Sequence, residues 1–162
     1  MKKYLILILM LFIGITLKAQ DLGKIKSQNT FFILFESSNS EEKIDLSRII
    51  NKNKDLRYHY RFYKNNKSKD KLDFSFSYSK YQTFDDAHND INAAMVFRLN
   101  KSFLRKNKDV IITRDFMEKV GKNTIVDLFF RGNIYIFLID KLEIENGKIL
   151  LREVQFNYVA PE

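Results

Sequence analysis

Two stretches of the chain alternate apolar and polar side chains with a period of two. They are residues 56–63 (LRYHYRFY) and 72–79 (LDFSFSYS), separated by a polar break at 65–71. Because successive side chains of a strand point to opposite faces, each stretch predicts a half-buried β-strand. Together they predict an antiparallel hairpin with an aromatic face and a polar face. One register that keeps the aromatic side chains together pairs Tyr60 with Phe74 and Arg61 with Asp73.

Three further segments have the composition of strands. Residues 30–36 (TFFILFE) and 134–139 (IYIFLI) are short apolar runs that predict buried strands. Asn146-Gly147 predicts a tight turn, after which residues 148–158 return as a strand with Ile149, Leu151 and Val154 inward. Alternation fails within this strand, which predicts a bulge.

Four segments have helical patterns with recognisable caps. Ser40 precedes one with the apolar positions 44, 46, 49 and 50, and Thr83 precedes another whose apolar stripe runs from Phe84 to Leu99. Thr113 caps a predicted helix over 114–120 that ends at Gly121. A last helix is predicted over 125–131, with Asn123 or Thr124 as its cap and Gly132 at its end.

These elements predict one α+β domain over residues 30–162. We expect a mainly antiparallel sheet of about five strands with helices packed on one face. No repeat or long linker divides the chain, and the polar residues 20–29 are expected to form a loose leader.

Residues 1–19 have the layout of a secretory signal peptide. A basic start is followed by an apolar run from Tyr4 to Leu17, and Ala19 supplies a small residue at the predicted cut. A helix needs about 20 apolar residues to cross a bilayer, so the run favours a cleaved signal over its alternative, an uncleaved short anchor. The sequence therefore predicts export to the periplasm or the exterior, with no permanent membrane span after cleavage.

Composition excludes several kinds of chemistry. The chain has no cysteine, which excludes disulfides, thiol catalysis and cysteine-bound metal. It has five glycines and none of the glycine-rich phosphate loops or nucleophile turns that need them, which disfavours nucleotide-dependent enzymes and α/β-hydrolases. We expect no cofactor.

The positive charge is unevenly distributed. The net charge of +8 falls to +5 after cleavage, because three lysines and no acid lie in residues 1–19. Basic residues exceed acids by nine to three over 52–81 and by eight to three over 98–122. If those segments lie side by side they form one basic surface suited to an anionic partner; the alternative is scattered charge that serves solubility.

The polar face of the predicted hairpin is the first candidate site. It carries Arg57, His59, Arg61, Ser75 and Ser77, together with Asp73 and Ser79. Guanidinium and hydroxyl groups on a rigid sheet suit a phosphate, sulfate or carboxylate ligand. The alternative is an ordinary solvated sheet face. The aromatic side is typical of a core, so nucleic acid is a disfavoured ligand.

Other titratable residues give weaker indications. Asp85, Asp86, His88 and Asp90 have the spacing of a helical metal site, although acids in a first helical turn are also expected as caps, so no metal site is assigned. His59 and His88 are the two histidines, and they lie in different elements. Asp127 and Asp140 flank apolar runs and are candidates for buried carboxylates with a raised pKa.

Taken together, these observations predict a small, exported, non-enzymatic binding protein of the bacterial envelope or exterior. Its expected partner is another envelope protein or an anionic surface such as lipid headgroups or an acidic glycan. The alternatives are a small periplasmic hydrolase, which would use a histidine with a carboxylate, and an immunity or inhibitor protein.

Overall fold

The computed structural model describes residues 20–37, 44–50, 52, 56–63, 74–78 and 96–158. The fold is α+β, as predicted, but its strands form two sheets rather than one sheet of about five strands. The strands are β1 (Thr30–Phe35), β2 (Ile44–Ile50), β3 (Leu56–Phe62), β4 (Phe74–Tyr78), β5 (Val96–Asn100), β6 (Ile111–Ile112), β7 (Tyr135–Asp140), β8 (Lys148–Glu153) and β9 (Gln155–Tyr158). The helices are α1 (Leu22–Lys26), α2 (Ser102–Lys106), α3 (Arg114–Val120) and α4 (Lys122–Phe129), with a 3₁₀ turn at Lys141–Glu143.

The larger sheet is mixed, with the strand order β5-β8-β7-β1-β6. The predicted apolar strands β1 and β7 lie at its centre and are parallel to each other. The two edges differ, because β6 is parallel to β1 whereas β5 is antiparallel to β8. Residues 146 and 147 form the predicted turn before β8, and both have the positive φ that such a turn requires.

The smaller sheet is antiparallel, with the order β2-β3-β4-β9, and contains the predicted hairpin. The pairing of Tyr60 with Phe74 is confirmed. Asp73, the expected partner of Arg61, lies outside the described residues. The aromatic face of the hairpin is buried, and Tyr58, Tyr60, Phe74 and Phe76 are at most 1% exposed.

The predicted helix after Ser40 is wrong over residues 44–50, which form strand β2. Ile44 and Leu46, two positions apart, would point to nearly opposite sides of a helix but share one face of a strand. In the strand both are buried, and all seven residues pair with β3.

The predicted helical stripe is also wrong at its end, because Leu99 lies in strand β5 and packs against the second core described below. Residues 83–94 of that prediction lie outside the described part of the chain. The segment expected to be a loose leader contains α1, which Asp21 caps and whose Ile25 is fully buried.

The predicted helix over 114–120 is confirmed. The hydroxyl of Thr113 accepts a hydrogen bond from the Phe116 N–H, and the helix ends at Gly121. The last helix is confirmed with shifted ends: α4 begins at Lys122, with Gly121 rather than Asn123 or Thr124 at its cap position, and ends at Phe129.

The main core lies between the two sheets, where α3 and α4 add Phe116, Met117, Ile125, Leu128 and Phe129. A second, smaller core lies on the other face of the five-stranded sheet, around Ile139 and Ile149, and is covered by Phe103 and Leu104 of α2. Helices therefore lie against both faces of that sheet, not against one face.

Strands β8 and β9 join the two sheets through one residue. Where a bulge is predicted, β8 ends at Glu153, Val154 is buried, and β9 pairs with β4 in the other sheet. The Val154 N–H donates to the carbonyl oxygen of Ile136 in β7 at 2.9 Å. The predicted inward positions Ile149, Leu151 and Val154 are confirmed, since each is at most 5% exposed.

The helices of the described segments have at most eight residues. Within those segments, no helix has the length and apolar character needed to cross a membrane.

Candidate anion-binding face and buried ionic cluster

The four-stranded sheet brings the five predicted site residues onto one face. Arg57 is opposite Ser77 and His59 is opposite Ser75 in the ladder between β3 and β4. Since directly paired residues of an antiparallel ladder share a face, and positions two apart on a strand do too, Arg61 lies on this face as well. We call these residues, with Asp45, Ser47, Gln155 and Asn157 of the flanking strands, the polar face.

The outer strands surround the row of basic side chains with hydroxyl and amide groups. Ser47 of β2 is opposite His59, and Asp45 is opposite Arg61. On the other side, the Asn157 amide nitrogen donates to the Ser77 hydroxyl at 3.0 Å. The face therefore presents one line of basic groups flanked mainly by hydroxyl and amide groups, with the carboxylate of Asp45 opposite Arg61 and the exposed apolar side chain of Ile49 opposite Arg57.

Two nitrogens of this row are shielded from solvent and lack a hydrogen-bond partner among the described residues. They are Nδ1 of His59 and Nε of Arg61. Ser75, beside His59, is only 9% exposed, whereas Arg57 is exposed. Shielded polar atoms without partners are rare in folded proteins, so this part of the polar face has unused hydrogen-bonding capacity.

The imidazole of His59 is biased towards its neutral form. Burial, followed by the positive charges of Arg57 and Arg61, lowers the pKa of His59 below its ordinary value of 6.5. A histidine in this setting is uncharged at neutral pH and offers one donor and one acceptor.

A second group of charged side chains lies between the two sheets. The Asp140 side chain, at the end of β7, is fully buried, and its Oδ2 lies 3.1 Å from Nε of Arg48 in β2. The same oxygen accepts a hydrogen bond from the Tyr58 hydroxyl at 3.3 Å. Oδ1 accepts from the Leu142 N–H at 2.9 Å and so caps the 3₁₀ turn.

Glu143 connects two arginines of this group, one from each sheet. Its Oε1 lies 3.1 Å from Arg48, and its two oxygens accept hydrogen bonds of 2.9 and 3.0 Å from Arg152 of β8. The Arg152 guanidinium also lies over the Tyr78 ring, 4.9 Å from the ring centroid. We call Arg48, Tyr58, Asp140, Glu143 and Arg152 the ionic cluster.

The ionic cluster is electrically balanced, with two arginines and two carboxylates. Burial raises the pKa of Asp140 above its ordinary value of 3.8, although the Leu142 N–H and Arg48 oppose the shift. Burial, and then Asp140 and Glu143, also raises the pKa of the Tyr58 hydroxyl. Because each charge has an opposite partner, the arrangement is typical of a joint between sheets rather than of a reactive site.

The prediction that Asp140 is a buried carboxylate with a raised pKa is confirmed. The prediction that Asp127 is a buried carboxylate is wrong, because Asp127 is exposed on α4. Asp85, Asp86, His88 and Asp90 lie outside the described residues, as does Ser79. Within the described segments, no group of three or more histidine, aspartate or glutamate side chains is placed to hold a metal ion.

The other members of the ionic cluster were missed by sequence reasoning. Arg48 occupies an inward position of β2. This position cannot be recognised as inward when residues 44–50 are interpreted as a helix. Tyr58 was assigned to the core as an aromatic side chain only. A charged residue at an inward strand position is the signal that could have revealed Arg48.

The two basic segments lie in different parts of the fold. The described basic residues of segment 52–81 that lie in strands belong to the four-stranded sheet, whereas segment 98–122 begins in the edge strand β5 and continues through α2 and α3.

Comparisons with protein-family models, curated proteins and solved structures find no match to this chain.

Proposed function

We propose that this chain is an exported, non-enzymatic binding protein that holds anionic groups on the polar face of its four-stranded sheet. The observation that carries the proposal is the line of Arg57, His59 and Arg61 on one strand, with shielded nitrogens of His59 and Arg61 that have no partner among the described residues. Phosphate, sulfate and carboxylate groups supply the acceptors that such donors require.

The placement of the titratable groups supports binding more than hydrolysis. His59 and Tyr58 are neighbours on β3, so their side chains point to opposite faces of the sheet. Because Tyr58 contacts Asp140, the buried carboxylate lies on the face opposite His59. Acid–base catalysis by a histidine with a carboxylate therefore gains no support from these two groups.

Binding is tested with three probes that carry the same chemistry: inorganic sulfate, vesicles containing anionic lipid, and an acidic polysaccharide. The variant Arg57→Gln/Arg61→Gln should weaken binding of each effective probe by at least about tenfold, since charge-assisted hydrogen bonds each contribute about 1.5 kcal/mol or more. The probe bound most tightly distinguishes a lipid surface from a glycan.

The matched control is Arg98→Gln/Arg105→Gln, which removes the same two charges from exposed positions on β5 and α2. It should leave binding within about twofold of the unmodified protein if the polar face is the site. Equal losses in both variants would show that net charge alone drives binding. The absence of binding to all three probes would overturn the proposal.

Export is a separate part of the proposal and rests on the pattern of residues 1–19. Full-length protein expressed in a bacterium should be recovered from the periplasmic or extracellular fraction with Gln20 as its first residue. Intact-mass measurement and N-terminal sequencing check this. Recovery of the uncleaved chain in the membrane fraction would instead support the short-anchor alternative.

A further inference from the structure

We propose that an anionic group on the polar face is bound together with a proton at His59, so that affinity rises as the medium becomes mildly acidic. This inference rests on the proposed function and adds a form of regulation to the same site. The geometry that carries it is the position of a titratable imidazole between two permanent cations.

His59 is the middle member of the basic row. Arg57 and Arg61 are each two residues away on the same face of β3, which is about 6.6 Å along the strand. A third charged group on the described polar face is Asp45 of β2, and it is opposite Arg61 rather than His59. The groups facing His59 from β2 and β4 are the hydroxyls of Ser47 and Ser75.

The rest of the described polar face is uncharged near His59. Ser77 of β4, Gln155 and Asn157 of β9, and the apolar Ile49 of β2 complete the surface. The charges nearest the imidazole on its own strand are thus both positive, and both oppose its protonation. Because burial lowers the pKa of His59 and these two charges lower it further, His59 in the unliganded protein stays neutral to lower pH than an exposed histidine does.

An anion placed on the row reverses this balance. Its negative charge offsets Arg57 and Arg61, and the protonated imidazole gains a second N–H donor. Both changes raise the pKa of His59 in the complex above its value in the free protein. Affinity must then increase as pH falls through the pKa of the complex, and must level off below the pKa of the free protein. Each unit of difference between the two values increases affinity by up to about tenfold.

Inorganic sulfate is the suitable probe, because its own charge does not change between pH 5 and pH 8, unlike that of phosphate. The dissociation constant for sulfate should be measured by calorimetry across this range with the full chain. We expect binding at pH 5 to be about three- to tenfold tighter than at pH 8. NMR titration of the His59 ring should give a higher pKa with saturating sulfate than without it, and His88 serves as an internal reference.

The variant His59→Gln keeps a polar side chain that does not titrate, so its sulfate affinity should be constant between pH 5 and pH 8. In Arg57→Gln/Arg61→Gln without ligand, the pKa of His59 should rise, since two repulsive charges are gone. That second measurement is made on the free protein and therefore tests the electrostatic argument separately from binding.

The outcomes separate this inference from the function on which it rests. Failure of sulfate to bind at any pH would overturn the proposed function. Binding with equal affinity at pH 5 and pH 8 would overturn the proton coupling and leave an anion-binding face. Tighter binding at low pH that persists in His59→Gln would place the proton elsewhere and would also overturn the inference.

Discussion

Tyr58 and Tyr60 occupy successive inward positions of β3, and they differ in how their hydroxyl groups are satisfied. Both side chains are at most 1% exposed. The Tyr58 hydroxyl donates to Asp140, whereas the shielded Tyr60 hydroxyl has no hydrogen-bond partner among the described residues. Burial raises the pKa of both hydroxyls, so each remains a neutral phenol. The hydroxyl group of the same residue type therefore stabilises the fold at one position and opposes it two positions later, although both rings pack in the core.

This difference predicts opposite results for the same substitution. Tyr58→Phe removes a buried hydrogen bond to a carboxylate and should lower the free energy of unfolding by about 1–2 kcal/mol. Tyr60→Phe removes a buried polar group without a partner and should leave stability unchanged or raise it by up to about 1 kcal/mol. Urea unfolding of the two variants checks this, and equal losses would contradict the assignment of their hydroxyl partners.

Among the helices and strands, the sequence predicted position and type best where a single capping residue or a regular alternation of apolar and polar side chains determines the conformation. The strict alternation in β3 and β4 predicted the buried face of both strands and limited their pairing to registers that keep the aromatic side chains together, and the structure has one of these. Thr113 and Gly121 marked both ends of α3, because a hydroxyl cap and a positive-φ glycine act locally. These features depend on neighbours in the chain, so a single sequence is sufficient to recognise them.

The errors occurred where tertiary pairing decides between helix and strand. Residues 44–50 contain apolar positions compatible with either period, and seven pairs with β3 stabilise the strand. Likewise, β5 forms against β8, about fifty residues later in the chain. The common face of the five residues predicted as a site could be recognised because it follows from the alternation in β3 and β4. Most of the ionic cluster was missed because its members come from five separate elements.

The turn before β8 gives an element-scale prediction with a matched control. Gly147 has a φ of 70°, a conformation that L side chains rarely adopt, whereas Gly132 has no positive φ and open space around its Cα. Gly147→Ala should therefore destabilise the fold by about 1–2 kcal/mol. Gly132→Ala should be neutral or stabilise it by up to about 1 kcal/mol, because it reduces the entropy of the unfolded chain. Thermal unfolding of both variants distinguishes the effects, and equal changes would contradict the turn geometry.

Seen over both sheets, the ionic cluster joins them by charge beside the mainly apolar core that their described residues form. Arg48 and Tyr58 come from the four-stranded sheet, while Asp140 and Arg152 come from the five-stranded sheet. Ion pairs in such positions contribute little net stability, but they penalise arrangements in which one partner is left alone. The cluster therefore favours one relative placement of the two sheets.

Removing one charge of the pair between Arg48 and Asp140 should destabilise the protein more than removing both charges. Arg48→Met leaves Asp140 without its cation and should destabilise the protein by about 2–4 kcal/mol, a range reduced because Arg48 is 26% exposed. Arg48→Met/Asp140→Asn should recover part of that loss, since the neutral amide keeps an oxygen that accepts from the Leu142 N–H and gains an NH2 group that can donate to the Tyr58 hydroxyl.

The control is Lys24→Met, which breaks the 3.8 Å pair between the exposed Lys24 and the half-buried Asp109 and should change stability by less than about 1 kcal/mol. All three variants are compared by urea unfolding. A double variant that is less stable than Arg48→Met alone would contradict the view that the unpaired buried charge is what destabilises the single variant.

The passage of the chain through Val154 has a consequence for the order of folding. Strand β8 lies between β5 and β7 in one sheet, and β9 completes the other sheet beside β4, about eighty residues earlier in the chain. Neither sheet can acquire its final set of strands until residues 148–158 have been synthesised. Such long-range closure slows folding, because the entropy of a long loop is lost before its contacts form. During synthesis, β4 and β7 therefore remain without one of their final neighbours until the last strands of the chain emerge.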